Sequence, residues 1–441
     1  MDKNEHNTTI HRQIATMVNL EHNKNPENNI EIMAPVGSYE SLTAAIQSGA
    51  DSIYFGVGKL NMRSRSANNF AMDDMVRVAG NAHKHGLKTY LTLNTVVYDN
   101  EIAEMRAMVD MAKECGINAI IASDFAVMEY ARRVGMEIHA STQCNISNLE
   151  SVRFYSRYAD VVVMARELSL SQVAEISRAI EEQGIRGPKG DLVEIEVFAH
   201  GALCMSVSGK CYLSLDTYNQ SANRGACLQL CRRGYSVKDL ETGTELVVDN
   251  KYIMSPKDLC TIGFLDKIAK AGVRVLKIEG RGRSADYVQT VVACYREALR
   301  AIAEERYTPD LIEHLTDRLR TVFNRGFWDG YYLGRRMGEW ADRYGSQATE
   351  NKVFLGLVTN YFNRIGVAEA RMQTAESLSV GDEVMVTGQT TGVYRGVVSE
   401  IRLDKGVVQD ARQGDVFSFK TDTPVHRGDK LYKIVKSVDD F

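Results

Sequence analysis

Cys204, Cys211, Cys227 and Cys231 stand within 28 residues, in the spacing C-x6-C-x15-C-x3-C. Four thiolates so gathered can complete one tetrahedral zinc site or hold one [4Fe–4S] cluster. Zinc ribbons usually rely on tight C-x2-C knuckles. Neither pair here is that close, so the wider spacing suits the bulkier cluster better. It is also unlike the cysteine triad of enzymes that cleave S-adenosylmethionine to radicals. Buried free thiols are the plain alternative, because Cys packs well as a small hydrophobe. Cys115, Cys144 and Cys294 fall inside helix or strand patterns and read as structural, and Cys260 in "SPKDLC" is ambiguous.

Charged and polar groups at the ends of apolar runs form a second set. "LNMRSRSANNF" carries Arg63 and Arg65, with Asn69 close behind. Paired guanidinium groups match phosphate or a dicarboxylate in two hydrogen bonds each, although a solvated loop reads equally well. "HASTQCN" presents His139, Thr142 and Gln143; Arg166 and Glu167 follow "VVVM", and "KIEGR" holds Lys277, Glu279 and Arg281. Burying such charges unpaired is costly, so they pair with one another or face a ligand. For Lys277 and Glu279 an internal ion pair is expected. His200, four residues before Cys204, could tune a cluster or relay a proton, but a structural hydrogen bond is the more ordinary role.

Composition frames these groups. Hydrophobic content of 44% and charged content of 25% over 441 residues are ordinary for a soluble globular chain of two or three domains. A formal charge of -4 excludes a bulk polycation, so any nucleic-acid contact must come from a local basic patch. Residues 1–30 are polar, lack the apolar centre of a signal peptide, and read as a disordered tail. No apolar run approaches the roughly 20 residues of a membrane span. The expected address is the cytoplasm, where clustered thiols more often bind metal or act in catalysis than form disulfides. Neither H-E-x-x-H nor G-x-S-x-G occurs, which removes the commonest local signatures of a hydrolase.

The elements that must position these residues are short apolar runs alternating with amphipathic stretches. "IEIMAPV" (ending at Val36), "SIYFGV" (52–57), "KTYLTLN" (88–94) and "AIIAS" (119–123) come first. "EIHAST" (137–142), "VVVMARE" (161–167), "IEVFAHG" (195–201) and "VRVLKIEG" (273–280) follow. Eight strand–helix units predict a TIM-like (β/α)8 barrel over 31–304, and no G-x-G-x-x-G follows the first strand as an open dinucleotide fold would want. The clustered cysteines lie in a long insertion, 202–272, after strand seven, and such loops lie on a barrel's catalytic face. Residues 305–349 read as a connecting segment. From 350 to 441, short alternating strands with Gly-Asp turns predict a small C-terminal antiparallel β-barrel domain.

"EVFAHGALCMSVSGKCYLS" (196–214) closely resembles the signature of the collagenase-like peptidase family U32, E-x-F-x-x-G-[SA]-[LIVM]-C-x4-G-x-C-x-[LIVM]-S, without a departure. The resemblance continues through "APVGSYESLTAAIQSGADSIYFG", "ANRGACLQLCRRGY", "MSPKDLC" and "LKIEGRGRSADYV". It implies a [4Fe–4S] cluster on Cys204, Cys211, Cys227 and Cys231, with Cys260 not required. It also implies an activity: members hydroxylate RNA or ubiquinone precursors. The added C-terminal domain resembles the branch that makes 5-hydroxyuridine at the tRNA wobble position with prephenate as co-substrate. Peptidase action and hydroxylation of rRNA or a ubiquinone precursor are the alternatives, and the redox partner and hydroxyl donor stay open. On this reading Arg63, Gln143, Arg166 and Lys277 converge on one face, Arg63 and Arg65 grip an anionic donor, and Lys210, Arg224, Arg232 and Arg233 form a basic rim for tRNA phosphates.

Overall fold

The computed structural model describes residues 30–65, 69–245, 253–334 and 338–437; the polar stretch 1–29 lies outside them. Eight parallel strands form the barrel: β1 (Glu31–Pro35), β2 (Ser52–Gly56), β3 (Lys88–Leu93), β4 (Ala119–Ala122), β5 (Glu137–Ala140), β6 (Val161–Val163), β7 (Glu194–Gly201) and, after the insertion, β9 (Val275–Ile278). Strand β9 pairs with β1 on one side and β7 on the other, which closes the ring.

Period-two alternation sorts the strand residues. Met33, Tyr54, Tyr90, Ala119, Ile121, Val161 and Val275 point inward and pack as one apolar layer. Their neighbours face outward onto the helices α1 (Tyr39–Gln47), α2 (Asp74–Lys84), α3 (Ile102–Glu114), α4 (Phe125–Arg133), α5 (Leu149–Tyr155) and α6 (Leu170–Gln183). Start signals are local. Ser38 Oγ accepts from Ser41 N at 3.2 Å to begin α1, and Asp124 Oδ1 accepts from Ala126 N at 2.8 Å to begin α4. Ser169 and Gln172 cap α6 reciprocally, satisfying amides that would otherwise lack partners.

The insertion holds a helix, α7 (Leu213–Tyr218), and one strand that periodicity could not reveal, β8 (Asp258–Cys260). Three residues are too few to show an alternation. Strand β8 runs antiparallel to the end of β7 and parallel to β10 (Phe327–Trp328), so the insertion and the connecting segment both return to the barrel sheet. Helices α8 (Leu265–Lys270), α9 (Ala285–Ala303) and α10 (Pro309–Arg320) complete the barrel wall. A bulge between Phe198 and His200 shifts the register of β7 against β9. It turns His200 away from the barrel interior, where simple alternation would have put it.

Beyond the connecting segment, β11 (Glu350–Phe362), β12 (Val367–Met372), β14 (Glu383–Gly388), β15 (Gly392–Val397), β16 (Ile401–Leu403), β17 (Gly406–Val408), β19 (Val416–Lys420) and β20 (Lys430–Lys436) make an antiparallel sheet. A two-stranded ladder of β13 (Leu378–Ser379) and β18 (Asp410–Ala411) stands beside it. The eight-stranded ladder runs in the order β15-β14-β20-β11-β12-β19-β16-β17, with no ring-closing pair among the described residues. It curls over its own core, which includes Leu355, Val386, Phe417, Phe419 and Leu431. Met385 and Val393 instead join the barrel core, with Tyr432 and Ile434 packed against it. Gln47 Nε2 donates to Thr391 O at 3.0 Å, Gln289 Nε2 donates to Val393 O at 3.1 Å, and Lys352 pairs with Asp286 across the same junction.

Candidate active site

The C-terminal ends of the barrel strands surround a cavity of about 240 Å³. Arg63, Gln143, Arg166 and Lys277 all line it, and so do Cys204, Cys211, Cys227 and Cys231. Residues separated by more than 200 positions in the chain therefore meet at one mouth. Arg65, Lys210, Arg224 and Arg233 do not line it.

Three barrel loops hold the cysteine loops. Asn145 Nδ2, after β5, donates to Ser208 O at 3.2 Å, and Thr142 Oγ1 meets Ser208 Oγ at 3.3 Å. After β3, Val96 N donates to Asn223 O at 3.1 Å. After β2, Arg65 N donates to Gly225 O at 3.3 Å. Gly225 has φ +79°, and a Cβ there would lie 2.1 Å from Ser64 Oγ and 2.5 Å from Asn61 O, so only glycine lets the Cys227 loop come this close. Within the insertion, Ser214 Oγ at the start of α7 accepts from Leu228 N at 3.0 Å.

Two charge systems occupy the barrel mouth and interior. At the mouth, Arg63 pairs with Glu279, whose carboxylate also accepts from Tyr54 OH at 3.2 Å. Burial pushes the Glu279 carboxyl up, but Arg63 and Arg166 outweigh it and hold the group down at about 2. Deeper, Lys277 Nζ stands 2.8 Å from Glu196 Oε1, and Glu196 Oε2 stands 3.2 Å from His139 Nδ1. Glu137 Oε1 lies 3.7 Å from His139 Nε2 and its other oxygen meets Lys189. Burial opposes charge on His139, yet Glu137 and Glu196 raise it to about 9; burial likewise opposes charge on Glu196, yet Lys277 and His139 hold it at about 2. Lys277 and Glu279 are thus each in an internal ion pair, but not with each other.

Arg281 is a residue whose role the sequence left open. Its guanidinium donates to Thr92 Oγ1 at 2.9 Å and Asn61 Oδ1 at 3.0 Å, and burial lowers it to about 10. Asn61 Oδ1 also accepts from Arg63 N at 3.1 Å, so Arg281 pins the loop that carries Arg63. A Cβ on Gly56 would come within 2.2 Å of Arg281 Nη1. Arg283 and Arg325 also line the cavity, and Arg325 pairs with Asp258 at 3.1 Å. Arg283 lies within the "LKIEGRGRSADYV" stretch but at no spacing that marks a ligand, and Arg325 lies in the connecting segment. Arg166 differs from its neighbours: its Cζ lies 4.1 Å from the centre of the Phe198 ring, and its buried Nε has no hydrogen-bond partner.

Several expectations change. Arg224 is not part of a free rim: it grips Glu101 through two bonds of 2.6 and 2.7 Å, donates to Val96 O at 2.7 Å, and covers the Tyr98 ring. Arg232 donates to Leu203 O at 2.5 Å and Pro256 O at 2.7 Å, clamping the segment before Cys204 to the insertion's return strand. Arg233 and Lys210 are exposed, with Arg233 donating to Tyr218 OH at 3.1 Å. Arg65 is exposed and bonded to Gln220. His200 packs among Tyr287, Tyr295 and Phe327, and burial drops it to about 3. Cys260 sits opposite it on β8, outside the cavity, and burial pushes its thiol up to about 11.

The donor set can be tested against a bound group. Among the described residues, no three His, Cys, Asp or Glu side chains close tightly enough for a single ion. The four thiols line one cavity, and Cys204, Cys211, Cys227 and Cys231 would hold a [4Fe–4S] cluster there, which takes four cysteine ligands. Burial raises the Cys231 thiol to about 11, with the Arg232 guanidinium acting against it and the other three cysteines adding to it. Burial also raises the Cys211 thiol, with Cys204 and Cys227 adding to it, and a cationic core among these cysteines would offset both rises.

Comparison with known proteins follows the same lines. The description "Peptidase family U32" matches residues 37–342. A protein named collagenase from Porphyromonas gingivalis is 56% identical over 409 residues, covering 93% of this chain and 99% of that protein. The tRNA hydroxylation protein P1 of Bacillus subtilis is 29% identical over 438 residues, covering 97% and 99%. The 23S rRNA 5-hydroxycytidine C2501 synthase of Escherichia coli is 31% identical over 380 residues, covering 84% of this chain and 55% of that enzyme. With the signature stretch, a closed barrel and a match over most of its length in agreement, the chain belongs to peptidase family U32.

Proposed function

We propose that the protein is an RNA-modifying enzyme that hydroxylates carbon five of the wobble uridine of tRNA, with a [4Fe–4S] cluster on Cys204, Cys211, Cys227 and Cys231. The observation that carries this reading is the convergence of all four thiols with Arg63, Gln143, Arg166 and Lys277 on one cavity. Supporting it, the Bacillus relative named for tRNA hydroxylation aligns with this chain almost end to end, including the C-terminal sheet. When bound, the cluster supplies one-electron chemistry. The chain's own residues do the rest. Asn94 Nδ2, 3.3 Å from Gln143 Oε1, orients that amide at the cavity wall, where its other end can meet a base edge. Arg63 is already bound to Glu279, and Arg166, whose buried Nε is unbonded, is the cation assigned to an anionic hydroxyl donor of the prephenate kind.

A cysteine peptidase built on one of these thiols would need a histidine in reach of the sulfur. Among the described residues no histidine lines the cavity; His139 is locked to Glu196 inside the barrel, and His200 faces away. Two measurements test the proposal. Anaerobically purified protein should carry about four irons per chain, and Cys211→Ala should lose them while Cys260→Ala keeps them. Deleting the gene in its host should remove 5-hydroxyuridine-derived nucleosides from tRNA, and Arg166→Ala should reproduce that loss with iron content intact. An unchanged tRNA nucleoside profile in a host without a second such enzyme rejects the substrate assignment.

A further inference from the structure

Two wide clefts open from the cysteine-lined cavity, and both carry positive charge. One, of about 580 Å³, is lined by six arginines and no carboxylate, beside Cys227. Arg232 bonds backbone carbonyls, Arg325 pairs with Asp258, and Arg65 and Arg233 bond the neutral groups of Gln220 and Tyr218, which leave their charge uncompensated. The other cleft, of about 1050 Å³, runs between the barrel face and the C-terminal sheet and adds Lys352, Arg427 and Lys430. Its acids are largely occupied: Asp286 by Lys352, and Asp429 by Thr391 Oγ1 and His426 N, leaving Glu40. Arg65 and Arg283 border both clefts, and Arg283 also lines the cavity, so the three spaces adjoin around these arginines as the parts of one trench. On a chain of net charge -4 this is a strong local concentration of cations.

Shape and chemistry narrow the partner. The trench exceeds the roughly 300–1,000 Å³ that a drug-sized ligand fills, so it suits a polymer. Tyr344, 71% exposed, borders the all-arginine cleft and offers a flat face to a base. Cations that track a backbone, interleaved with an exposed ring, are what an unpaired nucleic-acid strand requires. We propose that the trench is the track of a single-stranded RNA segment, its phosphates on Arg65, Arg283, Arg427 and Lys430 and a base stacked on Tyr344, delivering the target nucleotide to the cavity. This rests on the reading that the enzyme acts on RNA, and it moves the phosphate contacts away from Arg224 and Arg232. The C-terminal sheet becomes one wall of the track.

The test is fluorescence anisotropy of the holoprotein with a labelled hairpin RNA carrying uridine in its loop, across a salt series. An Arg427→Ala, Lys430→Ala variant changes only exposed side chains. It should lower the salt slope by about 1.4, or about 0.7 for each lost contact to a single strand. Tyr344→Ala should weaken binding by about fivefold or more with the slope unchanged. Unchanged affinity and slope in the double variant, with the wild type binding RNA, overturn the track and leave the RNA reading standing. A wild type that binds no RNA overturns both. A perfect duplex bound as tightly as the hairpin overturns the single-strand assignment, and polyglutamate bound more tightly than RNA transfers the trench to an acidic protein partner.

Discussion

Glu196 is fully buried between Lys277 and His139, which makes this carboxylate the most sensitive ionised group in the barrel. Removing one partner of a buried pair leaves the other charge without compensation, at a cost of about 3–5 kcal/mol. Lys277→Met should therefore lose about that much stability in urea unfolding, well beyond the effect of an average substitution. The network also predicts a pH dependence. Glu196, held at about 2, contributes stability that is present above the ordinary carboxylate value and lost as pH falls toward 2. His139, raised to about 9, contributes stability that is full below the ordinary imidazole value and lost as pH rises through 9. His200, buried neutral and lowered to about 3, costs stability as pH falls below the ordinary imidazole value. The unfolding free energy should thus be highest near pH about 6.5 and decline on both sides, toward 9 and toward acid. His139→Phe should remove the alkaline decline; if the decline persists unchanged, the charge on His139 is not its source.

Loops and strands show why part of the site could be read in advance and part could not. Eight apolar runs were visible because each barrel strand is buried on both faces, and the cysteine spacing was visible because it is local. The partner of Lys277 was not. Residues 277 and 279 are two apart along a strand, which separates their Cα atoms by about 6.6 Å, whereas the closure of β7 on β9 brings Glu196 alongside Lys277 from 81 residues away. Arg224 read as a rim residue because nothing near it in sequence shows that the loop after β3 carries Glu101 to meet it. The His200 orientation depended on a bulge, which leaves no signal in the pattern. At this scale Gly225→Ala gives a sharp expectation: the Cys227 loop must withdraw from the Arg63 loop, and iron content should fall substantially. Adding Ser64→Ala should restore little, because Asn61 O remains 2.5 Å from the new Cβ position.

The molecule as a whole is more continuous than its two sheets suggest. Met385 and Val393 of the C-terminal sheet belong to the barrel's own core, and Tyr432 and Ile434 pack against it. Domains that share a core do not unfold independently. Calorimetry should show one main transition, and a fragment ending before residue 350 should expose the apolar surface of α1 and α9 and aggregate. Two well-separated transitions would contradict this. No helix among the described residues is long and apolar enough to cross a membrane.

The contact between Gly56 and Arg281 carries a consequence for how such sequences can change. Arg281 is tied at both ends of its guanidinium, so it cannot swing aside for a new side chain at 56, and a Cβ there would also meet Asn61 Cγ at 2.9 Å. Neither position can be altered alone without unpinning the loop that carries Arg63. Asn69 Oδ1 would stand 2.6 Å from the same Cβ, so positions 56, 61, 69 and 281 behave as one heritable unit. A saturation library at position 56 should return almost only glycine while Arg281 is present, and should broaden only when Asn61 and Asn69 are shortened together with that arginine.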